Sequence, residues 1–140
     1  MCEKYKVNLW GTYPMVNAMF MNNNISFDLQ FIIGSFFGFV NTHDSSVMVT
    51  MNSKDDYERS IKFYIRDGKV VRFNRIGAEH DFGKLSGGIQ AIMTKEEREK
   101  KNVAEVMELV NRYPMFCEFN KARGKRTEVR LVDRRKIKGR

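Results

Sequence analysis

The two histidines of this chain each precede an aspartate, in His43-Asp44 and His80-Asp81. Two imidazoles flanking a phosphodiester, one acting as base and the other as acid with a cation such as Lys84 nearby, would make a metal-independent ribonuclease. Neighbouring residues of an extended segment point to opposite faces, however, so neither aspartate need orient its own histidine. Each dipeptide reads more readily as part of a polar loop. Two histidines with scattered carboxylates lack the tight spacing of metal ligands, and Cys2 and Cys117 are not paired with them, so no metal site and no cofactor are expected. Cys117 alternates with Met115 and Phe119 and reads as a small buried hydrophobe.

Cations are the more abundant chemical resource. Between Lys121 and Arg140 stand Lys121, Arg123, Lys125, Arg126, Arg130, Arg134, Arg135, Lys136, Lys138 and Arg140, opposed by Glu128 and Asp133. Six of the ten are arginine, which can grip a phosphate through two parallel hydrogen bonds. A second candidate is a strand face presenting Lys62, Tyr64 and Arg72, where cations beside a surface aromatic offer phosphate attraction and a stacking platform. The segment Gly83-Lys84-Leu85-Ser86-Gly87-Gly88 could cradle phosphate on its amides. Its order departs from a P-loop, in which the lysine follows the last glycine, so it reads as a turn.

The 140 residues carry 25 Lys plus Arg, 17 Asp plus Glu and a net charge of +8. Residues 1–60 hold 4 basic and 6 acidic side chains, whereas residues 101–140 hold 12 and 5. The excess is thus a gradient along the chain, which suggests an electrostatic footprint rather than diffuse solubilising charge. A hydrophobic share of 42% is too rich for a disordered chain, and the length suits a single domain, 1–140, with 134–140 as a basic tail. Two cysteines exclude a disulfide scaffold, nine methionines favour a reducing setting, and no charged-then-apolar leader opens the chain. A cytoplasmic location is the expectation.

The elements that must position these residues follow from periodicity. Tyr5–Trp10 alternates as a first strand, and Thr12 with Pro14 marks a helix start whose short apolar face is Met15, Ala18 and Met19. Ile25–Phe31 alternates strictly, the cleanest strand pattern of the first half. The apolar run Phe31–Val40 is too short to span a membrane and predicts a buried strand or hairpin with close backbone approach at Gly34 and Gly38. Val47, Val49 and Met51 suggest a further strand. Ile61–Arg66, Asp67-Gly68 and Lys69–Phe73 predict a β-hairpin whose three-residue loop places Ile61, Phe63, Ile65, Val71 and Phe73 on one face. Thr94 and Glu97 form a capping box opening a helix over about 94–112, with Val103, Val106, Met107 and Val110 as its buried stripe and Pro114 as its stop. Met115–Phe119 and Thr127–Val132 then form a C-terminal hairpin around a basic loop. The fold class is α+β, mainly antiparallel, with one long helix.

These readings favour a small non-enzymatic protein that binds nucleic acid or another polyanion through its basic C-terminal hairpin and tail. A protein-interaction module is the alternative: an inhibitor or adaptor that meets the acidic surface of a partner, or a nucleotide-sequestering protein. The two-histidine ribonuclease is the third reading. Met15, Met19, Met21, Met48 and Met51, with Phe20, Phe36, Phe37 and Phe39, read mainly as core filling. They also offer mass for homodimerisation.

Overall fold

The computed structural model describes residues 2–79, 94–120 and 128–137. The chain forms two compact units, Met1–Glu79 and His80–Arg140. In the first, a helical turn α1 (Cys2–Tyr5) leads into β1 (Leu9–Tyr13), and β2 (Ile25–Ser26), β3 (Phe37–Phe39) and β4 (Val71–Gly77) complete a four-stranded sheet. The strand order is β2-β4-β1-β3. The central pair β1–β4 is parallel, and both edge strands run antiparallel to their neighbours. The α+β class holds. Among the described residues no helix is long and apolar enough to cross a membrane.

Local patterns of the first 51 residues give way to tertiary pairing in several places. Lys6 takes φ +50° after α1, so the first strand begins at Leu9 rather than Tyr5 and runs on through Thr12, which is 1% exposed. Thr12 therefore starts no helix, and Pro14–Phe20 passes through bends and turns. Of the alternating run Ile25–Phe31, two residues join the ladder. Beyond them Phe27 packs on Tyr5, centroids 5.5 Å apart, and Phe31 lies 4.2 Å from Tyr57, so ring contacts replace strand pairing. Gly38 does mark a close approach: a Cβ there would lie 2.5 Å from Nε1 of its cross-strand partner Trp10. Around Gly34 there is ordinary space, with nothing nearer than 3.9 Å. No strand forms over Val47–Met51. Asp44 instead accepts from the Ser46 amide at 2.9 Å and caps a 3-10 turn, Ser45–Val47.

The largest correction concerns the hairpin predicted over 61–73. Its first arm is the end of a helix, α2 (Asp55–Asp67), and its second arm begins β4. Ile61, Phe63 and Ile65 satisfy period two, but Tyr57, Ile61 and Tyr64 satisfy the helical spacing i, i+4, i+7. Asp55, Asp56 and Glu58 suit the positive end of a helix dipole. Gly68, read as a hairpin turn, sits at φ +74° and donates its N–H to the Tyr64 carbonyl, closing the helix as a left-handed C-cap. Ile61, Phe63 and Tyr64 are buried, while Ile65 is exposed.

A charged stripe at four-residue spacing on α2 ties down the irregular segment 42–51. The buried Glu58 carboxylate accepts from the Thr50 and Met51 amides at 2.7 and 2.9 Å and from the Thr50 hydroxyl at 2.9 Å. Lys62 pairs with Glu58 at 3.1 Å and donates to the Met48 carbonyl. Arg66 donates to the Thr42 hydroxyl at 2.7 Å and lies 3.6 Å from Asp44. Burial alone would raise the Glu58 pKa, but these amide, lysine and hydroxyl donors hold it down at about 2. Asp56 is the opposite case: burial, with Asp55 adding repulsion, pushes it up to about 6.

The second unit holds α3 (Lys95–Arg112), capped as the sequence predicts. The Thr94 hydroxyl accepts from the Glu97 amide at 3.3 Å, and the Glu97 carboxylate accepts from the Thr94 amide at 2.8 Å. The buried stripe is corrected in detail: Val106 and Leu109 are fully buried, Val103 and Val110 are half-buried, and Met107 is 49% exposed. β5 (Cys117–Phe119) and β6 (Val129–Leu131) form the expected antiparallel hairpin, in register Cys117↔Leu131, Glu118↔Arg130 and Phe119↔Val129. A final turn of helix, α4 (Arg134–Ile137), occupies the start of the predicted basic tail.

Candidate polyanion-binding surface

Arg130 stands on β6 opposite Glu118 on β5, and the two are 3.5 Å apart. After β6 the chain turns at Asp133 into α4, which presents Arg134, Arg135 and Lys136 in succession. The Arg134 amide bonds the Met115 carbonyl at 3.0 Å, and its Nε donates to the Pro114 carbonyl at 3.1 Å. Its Nη2 meets Glu118 at 2.6 Å. Arg135 forms a two-pronged pair with Asp133, 3.0 Å at each oxygen, and its guanidinium lies 4.6 Å from the centroid of the Phe116 ring. One end of the hairpin thus gathers three arginines and a lysine beside an aromatic ring.

These ion pairs leave the guanidinium groups partly exposed: the side chains of Arg130, Arg134 and Arg135 are 68%, 43% and 48% exposed. Solvent-accessible pairs such as those of Arg130 and Arg134 with Glu118 are worth about 0–1 kcal/mol, so a multivalent phosphate chain can compete for these two, whereas Asp133 is 7% exposed and holds Arg135 more firmly. Glu118 is shared by Arg130 and Arg134, and its carboxylate fixes the spacing of two cations rather than cancelling both. Each guanidinium carries five N–H donors, more than one carboxylate contact consumes.

Beside this cluster lies an open cavity of 520 Å³. Val110, Pro114, Cys117 and Phe119 supply apolar surface, and Glu118, Asn120, Arg130 and Arg134 supply the polar groups. Cys117 is 1% exposed, and its Sγ lies 3.6 Å from the Leu109 carbonyl oxygen. Burial pushes its thiol pKa up to about 11, which makes it packing rather than a nucleophile.

The other residues singled out from sequence fall as follows. Lys121, Arg123, Lys125 and Arg126, like His80, Lys84 and the glycine segment 83–88, lie outside the described residues. The basic face of Lys62, Tyr64 and Arg72 does not form. Tyr64 is 1% exposed, and residues i and i+2 of a helix do not share a face. Lys62 serves the stripe on α2. Arg72, half-buried on β4, bonds Asn74 at 2.8 Å and covers the Tyr13 ring at 5.0 Å. His43 is exposed at φ +53°, with its amide on the Asn41 side chain at 3.0 Å. It lines a separate cavity of 450 Å³ between segment 41–49, Phe39 and the α2 residues Arg59 and Phe63. Of the methionines read as core filling, Met15, Met19 and Met48 are 48%, 84% and 65% exposed, Met21 is half-buried, and Met51 is buried. Sequence reasoning missed the part played by Glu118. Its spacing to Arg130 carries no short-range signal, because the pair is made by hairpin register. Among the described residues no group of three His, Cys, Asp or Glu is placed to hold a metal ion. Comparison of the chain with protein-family models, with curated proteins and with solved structures returned no match.

Proposed function

We propose that the protein is a non-enzymatic nucleic-acid-binding protein whose C-terminal unit, His80–Arg140, carries the binding surface. One observation carries this reading: the charge divides at the boundary of the two units. Met1–Glu79 has 9 basic and 8 acidic residues, a net of +1, and His80–Arg140 has 16 and 9, a net of +7. The succession of Arg130, Arg134, Arg135 and Lys136, with Arg135 over the half-buried Phe116 ring, supports single strands as the ligand, since arginine planes and aromatic faces take unstacked bases. Lys121, Arg123, Lys125 and Arg126 stand between β5 and β6 in the sequence and add to the net charge of this unit. The test is a titration of the whole protein with fluorescent single-stranded RNA at low salt. Substituting Arg130, Arg134, Arg135 and Lys136 together by glutamine is expected to weaken binding at least about tenfold. Unchanged binding would remove this surface from the account.

A second reading is favoured by a different observation. Met15, Val16, Met19 and Phe20 are each about half or more exposed, Met19 at 84%. This segment would serve self-association as a homodimer or the docking of a protein partner. Sedimentation of the wild type against a Met19→Ser/Phe20→Ser variant tests it: a dimer that the variant dissociates supports it, and a monomer at every concentration rejects self-association.

A further inference from the structure

The four-stranded sheet has two unlike faces. Gly11 on β1 turns toward Ile32, whose amide is held by Ser60 of α2. On β3, Arg59 covers the Phe37 ring at 4.3 Å and Phe63 meets Phe39. This is the face that carries α2, and it buries Leu9, Ile32 and Ile61 completely. Side chains alternate along a strand, so Trp10 stands on the other face, where its ring crosses Gly38. There an unbroken chain of rings runs across the sheet. Phe36 meets Trp10 at 6.1 Å, Trp10 meets Phe73 at 6.1 Å, Phe73 meets Tyr5 at 6.0 Å, and Tyr5 meets Phe27 at 5.5 Å. The interplanar angles lie between 56° and 79°, so the rings meet tilted or edge-on and none is stacked flat on the next.

A ring cluster that only stabilised the sheet would be covered, as the apolar side chains toward α2 are. Here both ends are exposed, Phe27 at 43% and Phe36 at 50%, and the three rings between them keep part of their surface accessible. Cations border the chain of rings. Lys4 places its Nζ 5.4 Å from the Tyr5 ring centroid. Arg72, paired with Gly11, bonds Asn74 on the side toward α2, so the exposed Arg75 follows Phe73 on the ring face. The segments that carry the rings, residues 2–13, 25–28, 36–39 and 71–77, hold four bases, Lys4, Lys6, Arg72 and Arg75, against Glu3 and Asp28. Aromatic faces bordered by cations suit a ligand that carries both rings and negative charge.

We propose that this face is a stacking platform on which unstacked bases of the bound strand lie. The inference rests on the nucleic-acid reading above and gives the first unit a part in it. Stacking accepts any sequence, because every base has a π-face, while Lys4 and Arg75 meet the phosphates between bases. The central strands β1 and β4 supply Trp10 and Phe73, and the ladder between them fixes the spacing of these rings before a strand arrives. Such pre-organisation lowers the ordering cost of binding.

Trp10 is the chain's only tryptophan and stands within the platform, so its emission reports on stacking directly. The experiment titrates the intact protein at low salt with end-labelled oligouridylate and with labelled inorganic polyphosphate of matched charge. Anisotropy of the label measures binding, and Trp10 emission is followed in parallel with unlabelled probes. Oligouridylate is expected to quench Trp10 in step with its binding, and polyphosphate to bind without quenching. Phe36→Ala should weaken oligouridylate about fivefold or more, the lower end of what one base stacked on one ring supplies, and leave polyphosphate affinity unchanged. Phe36→Tyr, which keeps the ring, should retain wild-type affinity. Oligouridylate binding with unaltered Trp10 emission would overturn the platform and leave the nucleic-acid reading in place. So would equal quenching by polyphosphate, or a Phe36→Ala loss that extends equally to it. Emission that responds to protein concentration alone would give the face to a second copy and overturn the platform as well. If neither probe binds, the nucleic-acid reading itself falls, and the platform with it.

Discussion

Glu58 illustrates how one side chain can fix a stretch of chain that has no regular structure. Its carboxylate is fully buried and meets the Thr50 and Met51 amides together with Lys62. Removing one partner of a buried charge network costs about 3–5 kcal/mol, so Glu58→Ala should lower the denaturant midpoint severely and Glu58→Gln less. The pH response has a definite sign. The folded pKa of Glu58 is depressed to about 2 from an ordinary 4.5, so its stabilising contribution is present above pH 4.5 and is lost as pH falls toward 2. Asp56 behaves oppositely. With its folded pKa raised to about 6 from 3.8, its contribution is full below pH 3.8 and is lost as pH rises through 6, with a slope of at most about 1.4 kcal/mol per pH unit. Urea titrations across this range should therefore show Asp56→Asn abolishing the decline between pH 4 and 6. A persisting decline would place it on another group. The two cysteines should also separate: buried Cys117 resists a thiol reagent in the native protein while half-buried Cys2 reacts, so denaturation doubles the titratable thiol.

Helix α3 and the C-terminal hairpin were legible in the sequence because their signals are local. A capping box spans four residues, and Pro114 stops the helix wherever the rest of the chain goes. Helix α2 was not legible, because Asp67-Gly68 is good chemistry for two structures. A glycine at positive φ serves a three-residue hairpin loop and a helix C-cap equally, and Ile61-Lys62-Phe63 fits either period. What decides is non-local: Ser60 Oγ accepts the buried Ile32 amide at 3.0 Å, and Phe63 meets Phe39 on the edge strand, centroids 6.1 Å apart. The candidate site divides in the same way. Arg130, Arg134, Arg135 and Lys136 could be named from charge alone, whereas Glu118 and the cavity beside it emerge from cross-strand register. Gly68→Ala tests the capping role directly. Nothing lies within 4 Å of a Cβ there, so the cost is purely that of φ +74° for an L-residue, about 1 kcal/mol in equilibrium unfolding.

Across the whole chain, the net charge of +8 is concentrated in one unit, and the two units carry different kinds of surface. In Met1–Glu79 the bases and acids nearly balance, and those of α2 pair within the unit: Arg59 with Asp55, Lys62 with Glu58, and Arg66 with Asp44 and Asp67. His80–Arg140 has nearly twice as many bases as acids, and its described arginines at the hairpin are exposed. This division makes a quantitative demand on binding. If four side chains, Arg130, Arg134, Arg135 and Lys136, each neutralise a phosphate of a single strand, log affinity should fall with log salt at a slope of roughly −3, steeper where the further bases of the segment contribute. The decisive measurement is the salt dependence of single-stranded RNA affinity, made on the wild type and on the fourfold glutamine variant. Binding through these side chains gives a slope of about −3 or steeper that moves toward zero by about three in the variant. Affinity independent of salt, or a slope the variant leaves unchanged, would contradict it.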